Sequence, residues 1–437
     1  MADVIEKYLC LYGESECRAL EGFPAHYKHC LVLPLYRESP QALGRFCHTA
    51  SQQGHTLIIA VINRPDNDDN QAWAIQINDQ LIAISDQACA IWHSPDHSTL
   101  WSLDNHSGLL IVDRCIEGDA IPVKQGVGLA RKIGADIACA LIQRGNINSQ
   151  WIHNSDGDAH LADDYFLSTE QLDIKKHAAA CYPFKHVFLD NSVSQLPTKV
   201  YEFSLHYYVA ALQWAGSYYA YHTIGSIIVI NHNHYAQVRG FPKRSGAEDF
   251  YLLNKLAKLG DIHNLRSKPI HIEARQSDRV PFGTGPAVKK LAAIEDAKNI
   301  SLYHPKSFQQ LRIFHLLIKK LAQQTTLDEA LNNLQTVLRS LSGSAEVNAT
   351  LLIIIDKICL KKALMHAFKQ AKTAHNREAQ LKIWFDSFIT LKFIHHSRDI
   401  SAATVNVYQL QELIEQERNA IGSFGQQIIA RTDIDRL

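Results

Sequence analysis

The charge balance leans neither way. Lys plus Arg and Asp plus Glu both number 44, so the formal charge at pH 7 is zero. A chain without basic excess lacks the electrostatic footprint of a nucleic-acid or membrane-surface binder. The nine cysteines are odd in number and none forms a CxxC pair, which argues against a disulfide framework and for a reducing compartment. The start, Met1-Ala-Asp-Val-Ile-Glu-Lys7, has no basic segment followed by an apolar run, so no secretory signal is expected. Apolar stretches such as Leu351 to Ile355 are far shorter than the roughly 20 residues a membrane helix needs. No internal repeat or low-complexity segment is evident. A soluble cytoplasmic protein without a transmembrane segment is expected, and at roughly 150 residues per domain its 437 residues suggest two or three domains.

What is present is an alternation of short apolar runs and amphipathic stripes. Cys30 to Pro34 and Leu57 to Ile62 are continuous apolar runs, as in strands buried on both faces. Leu109 to Asp113 is a third and ends in a carboxylate; Trp151 to Asn154 reads as a fourth. Leu129, Ile133, Ile137 and Leu141 recur every four residues, a helix stripe. Strands alternating with helices predict a largely parallel α/β sheet with its ligands at the strands' C-terminal ends. From about residue 301 the pattern becomes helical: Leu327, Leu331, Leu334, Leu338 and Leu341 mark one stripe, and Leu381, Trp384, Phe385, Phe388 and Leu391 another. The expected division is therefore an α/β domain over 1–300 and an all-helical domain over 301–437.

The fourth strand runs into Asp156-Gly157-Asp158. Residues two apart on extended chain point to one side, so both carboxylates can face a hard divalent cation bridging to phosphate. The same three residues also make an Asp-Gly turn with solvated carboxylates. Upstream, Lys124-Gln-Gly126-Val-Gly128-Leu-Ala-Arg131 opens the helix stripe. Glycines let backbone approach a phosphate, and a helix N-terminus favours anions; a glycine turn with surface cations is the alternative. Downstream comes Gly240-Phe-Pro-Lys-Arg-Ser245-Gly-Ala-Glu248-Asp249. Ser245 and Glu248 have capping-box spacing, which accounts for Glu248 without catalysis. Asp249 lies outside that box, in the first helical turn, where the dipole favours its charged form and keeps it ready to accept a proton.

In this order the pieces resemble the GT-A glycosyltransferases, family-2-type members in particular. The resemblance covers about residues 28–280. It includes Pro34-Leu-Tyr36-Arg37-Glu38 after the first strand, Asn63-Arg-Pro-Asp66 after the second, the Lys124 to Arg131 helix, the DxD-like Asp156-Gly157-Asp158, and Arg239-Gly240-Phe241 with Glu248-Asp249. Arg239 stands where the family often has a glycine. The resemblance implies a Rossmann-like GT-A domain moving a sugar from a nucleotide-diphosphate-sugar to an acceptor hydroxyl, as a hexosyltransferase does. Pro34, Tyr36, Glu38, Asn63, Asp66, Lys124, Arg131 and Asp156 would then hold the donor. Asp156 and Asp158 would hold Mg²⁺ or Mn²⁺, with His271 as a further ligand; a plain strand histidine is the other reading of His271. Asp249 would be the base of an inverting mechanism, with Glu248 beside it.

Three other groups matter. Arg275, Asp278 and Arg279 precede a Gly/Pro loop, Pro281 to Pro286, and could close over a diphosphate or form a solvated charge run. Among the aromatics of Tyr201 to Tyr221, Trp214 and Tyr218 are the acceptor-binding candidates, core packing accounting for the others. His232 and His234 lack a third ligand nearby. Two alternatives stay open: a retaining enzyme resembling mannosylglycerate or glucosylglycerate synthases, and an inactive GT-A-like scaffold.

Overall fold

The computed structural model of the chain describes residues 3–68, 88–104, 106–188, 195–275, 284–417 and 422–434. It divides into two compact units, Met1–Val193 with Thr223–Pro286, and Ser194–His222 with Ala287–Leu437.

Through residue 143 the elements are α1 (Val4–Tyr12), β1 (His29–Leu35), α2 (Pro40–Gln53), β2 (Thr56–Asn63), β3 (Cys89–His93), β4 (Ser98–Ser102), β5 (Gly108–Arg114) and α3 (Gly126–Gln143). There follow β6 (Trp151–Asn154), β7 (Ala159–His160), β8 (His177–Cys181), β9 (Phe184–Val187), α4 (Gln195–Trp214), β10 (Ile228–Asn231), α5 (His232–Gln237), α6 (Glu248–Leu256), β11 (Asp261–Asn264) and β12 (Ile270–Glu273). All of these except α4 belong to the first unit.

The first unit is α/β. Every residue of β1, β2 and β6 is buried, the burial that unbroken apolar runs require of strands covered on both faces. The main sheet has nine strands in the order β11-β8-β10-β6-β1-β2-β5-β4-β3. Pairing is parallel for β1 with β2, β2 with β5, and β1 with β6, and only β10 and β4 run against the common direction. From β1 the chain builds outward to β2 and β5 on one side, then returns to place β6 on the other. That reversal makes the carboxyl ends of β1 and β6 a topological switch point, the place where open α/β sheets bind ligands. Helix α3 fills the return, with Leu129, Ile133, Ile137 and Leu141 all buried as their spacing requires. A small sheet, β7-β12-β9, lies beside the β6 turn: the Glu273 N–H at the end of β12 donates to the Asp158 carbonyl at 2.9 Å.

The second unit is helical. Its helices include Pro305–Ala322, Leu327–Ser342, Ala345–Lys357, Leu360–Gln370, Ala374–Trp384, Ser387–Ile400, Val407–Gln416 and Phe424–Arg431. Leu334, Leu338, Leu381 and Phe385 point into its core, with Leu327, Leu331, Leu341 and Trp384 packed against it. Thr326 and Glu329 close a capping box on the second of these helices. The unit differs from a simple cut near residue 300, because residues 194–222 join it. The reason is packing: Val200, Phe203, Tyr207, Ala210 and Ala211 of α4 share one core with Phe308, Leu311 and Phe314. Among the described residues no helix is long and apolar enough to cross a membrane.

Candidate active site

The carboxyl ends of β1 and β6 carry the acidic turns. After β1 the chain passes Tyr36 and Arg37, whose φ of 52° is left-handed, a conformation that a non-glycine residue holds only under constraint. The constraint is Asp68, whose Oδ2 accepts from the Tyr36 hydroxyl at 3.0 Å and pairs with Arg37 at 2.8 Å. The turn then delivers Glu38, which receives both arms of the Arg275 guanidinium at 2.7 and 2.6 Å. Arg275 also reaches Asp158 Oδ2 at 3.0 Å, so one arginine joins the β1 turn to the Asp-Gly-Asp turn. Position 157 has to be glycine for this closure, because a Cβ there would stand 2.6 Å from both Cγ and Cδ of Glu38.

The second cluster centres on Arg131 of α3. Its side chain is 3% exposed and donates from Nη2 to Asp156 Oδ1 at 2.5 Å and from Nε to Glu248 Oε1 at 2.8 Å. A third bond runs to the Ser155 carbonyl at 3.3 Å. Burial alone would depress such a guanidinium, but Asp156 and Glu248 outweigh it and raise its pKa. Asp249, next to Glu248, is half-buried and accepts from the Phe250 N–H at 2.6 Å. Burial first, and then the neighbouring Glu248 charge, push its carboxyl up to about 8; Asp156 adds to the rise, while Phe250 N–H and Arg131 oppose it. Asp156, Glu248 and Asp249 thus share one electrostatic neighbourhood around a single buried cation.

This geometry corrects the capping-box reading of Ser245 and Glu248. Helix α6 begins at Glu248, its N-cap is Ala247 in a left-handed conformation (φ 60°), and no side chain caps it. The Glu248 carboxylate bonds the buried Arg131 instead, a charge-assisted partner stronger than a backbone N–H. Ser245 packs against Gly126, where a Cβ would approach Ser245 Cα to 2.7 Å, and a Cβ on Gly128 would meet the Pro242 carbonyl at 2.4 Å. The two glycines therefore admit the 242–245 segment beside α3; that packing, rather than a phosphate, is their immediate requirement.

The other expected donor residues fall into two kinds. Pro34 is buried within β1, opposite Val61. Asn63 is buried too, donating to the Leu35 and Val61 carbonyls at 3.1 Å, which ties the ends of β1 and β2. Asp66 Oδ1 accepts from the Val123 N–H at 3.2 Å and shapes the loop leading to α3. Lys124 stands exposed just before that helix, and Asp156 is half-buried. Pro34 and Asn63 thus serve the scaffold, while Lys124, Asp156 and Asp249 are accessible to a ligand.

His271 lies exposed on β12, across from His160 and Lys185. Among the described residues no three His, Cys, Asp or Glu gather as a metal site, so His271 does not complete a triad with Asp156 and Asp158. The two carboxylates by themselves fit a hard divalent ion. Arg131 pairs with Asp156 and Arg275 with Asp158; Mg²⁺ commonly takes one or two carboxylates and completes its shell from substrate phosphate and water. His232, in turn, bonds the Gln150 carbonyl at 3.1 Å.

Arg45 and Asp68 were not apparent from the sequence. Arg45 donates to the Gly157 carbonyl at 2.9 Å and pairs with Glu273 at 3.2 Å, bracing the Asp turn from α2; nothing in its local pattern distinguishes it. The acidic density of Asp66-Asn-Asp68 was a signal, and Asp68 is its structural member. Asp278, Arg279 and residues 281–283 of the Gly/Pro loop lie outside the described residues. Trp214 and Tyr218 belong to the helical unit. A scan against protein-family models finds no match, and a search of curated proteins finds none either.

Proposed function

We propose that the α/β unit is a GT-A-type glycosyltransferase domain that moves a sugar from a nucleotide-diphosphate-sugar to an acceptor hydroxyl with inversion. One observation carries the reading: Arg131 gathers Asp156 of the Asp-Gly-Asp turn and the Glu248-Asp249 pair beyond the carboxyl end of β6. Asp156 and Asp158 are the residues that would hold Mg²⁺ or Mn²⁺, and the ion when bound supplies Lewis-acid neutralisation of the diphosphate leaving group. The protein's own groups do the rest. Arg131 pairs with Asp156 and Arg275 with Asp158, so the carboxylates are oriented before a ligand arrives. Lys124, before the N-terminus of α3, adds positive charge where a diphosphate would lie. Asp249, whose anion is destabilised by burial and by Glu248, is the group that takes the acceptor's proton once it is ionised, as pH rises through about 8.

The test is a donor-hydrolysis screen of UDP- and GDP-sugars with and without Mn²⁺, followed by anomeric analysis of any transfer product. Metal-dependent release of nucleotide with inverted product supports the reading. Retained configuration replaces the inverting mechanism with a retaining one, and silence across the donors favours the inactive scaffold.

A further inference from the structure

We propose that the helical unit holds a binding site for a small anionic saccharide, a sugar bearing a phosphate or carboxylate. The site is a cleft of about 260 Å³ among the turn after α4, the helix Pro305–Ala322 and the helix Ala374–Trp384. This volume is below that of pockets for drug-sized ligands and suits one sugar ring. The proposal does not depend on the transferase reading.

Three features define the ligand. The first is charge. Arg312 and Lys319 lie seven residues apart on one helical stripe, with His315 between them, and Lys382 enters from the facing helix. These three cations face one carboxylate, Glu378. Lys319 makes no ion pair among the described residues, and Arg312 gives one N–H to the Trp214 carbonyl at 3.1 Å, leaving further donors. An anionic group is favoured at the Arg312–Lys319 end, away from Glu378.

The second feature is a fixed aromatic wall. The Arg312 guanidinium covers the Trp214 ring at 4.7 Å, and Trp214 Nε1 donates to the Gly422 carbonyl at 3.2 Å. Tyr218 is 51% exposed, an apolar ring left open to the cleft; rings of this kind pack against the C–H faces of sugars while their edges stay polar. Lys382 sits 3.8 Å from its ring centroid and 3.9 Å from Glu378, holding the tyrosine in place.

The third is unmet hydrogen bonding. His315 lines the cleft, and its buried Nε2 has no partner. Burial lowers its pKa to about 4, so the ring is neutral at pH 7 and Nε2 serves as a donor or an acceptor according to its tautomer. Glu378 adds carboxylate acceptors at the opposite end. Hydroxyls between an anion and an apolar ring match this set; an inorganic ion or an apolar molecule uses only part of it.

The experiment is calorimetry on the full chain with glucose 6-phosphate, glucose and inorganic phosphate as probes. Glucose 6-phosphate is expected to bind at least about tenfold more tightly than either of the others. Lys319→Glu, an exposed change, should weaken that binding by about tenfold or more with an unaltered melting temperature, and Tyr218→Leu should weaken it while leaving phosphate binding unchanged. Equal affinity for phosphate and the sugar phosphate would reduce the site to a cationic patch and overturn the proposal. So would an unchanged affinity in Lys319→Glu, or no heat with any probe.

Discussion

Nε of Arg131 lies 2.8 Å from Oε1 of Glu248, both side chains almost fully buried, at 3% and 6% exposure. Removing one partner of a buried pair leaves the other charge uncompensated in a low-dielectric setting. Glu248→Gln should therefore destabilise the α/β unit by roughly 3 kcal/mol, softened by the bond to Asp156 that remains. Urea denaturation measures it. A loss of only a few tenths would mean that Arg131 is already balanced by Asp156.

Gly157→Ala probes the other arginine. The added methyl would stand 2.6 Å from the Glu38 side chain, so Glu38 must swing away and release Arg275 from its two-armed grip. Overpacking of this kind costs about 1–3 kcal/mol. The expected result is a folded protein with lowered melting temperature and weakened Mn²⁺-dependent nucleotide binding. Normal binding in this variant would show that the Glu38–Arg275 pair does not orient Asp158.

The central strands and the buried face of α3 were legible because each is a local pattern: unbroken apolar runs in β1, β2 and β5, and a four-residue recurrence from Leu129 to Leu141. The Asp-Gly-Asp turn was legible for the same reason, since it directly follows a strand. What failed required long-range information. Ser245 and Glu248 have the spacing of a cap, yet Glu248 answers to Arg131, 117 residues away. Arg275 finds Glu38 across 237 residues, and no property of either neighbourhood announces it. Helix α4 has an apolar face that would serve either unit, so its allocation depended on which core received Phe203 and Tyr207.

Divalent ions should control nucleotide binding. Asp156 and Asp158 would repel a diphosphate without a bridging cation, and Arg131 and Arg275 are already paired with them. UDP or GDP titrated in Mn²⁺ and in EDTA should therefore give clearly different affinities, with Asp158→Asn resembling the EDTA state while remaining folded. Equal affinity in both buffers would remove the metal assignment and leave protein cations, Lys124 among them, as the diphosphate's counter-charges.

Asp249 gives the sharpest pH dependence. Its carboxyl is pushed up to about 8 by burial and by Glu248, so the proton-accepting form accumulates only as pH rises through that value. Turnover should climb with pH and level off above about 8. Stability should run the other way. A carboxyl whose folded pKa is raised contributes its full stability below the unfolded value of about 4, and that contribution is lost as pH rises through the folded one. Asp249→Asn keeps the shape and removes the charge. It should cut turnover by about 10²-fold or more and flatten the pH profile, with donor affinity little changed. Its melting temperature should exceed that of the unaltered protein at pH 8 and match it near pH 4. Retained turnover with an unchanged pH profile would assign the base to another group, and a lower melting temperature at pH 8 would mean that the Asp249 anion is stabilised in the fold.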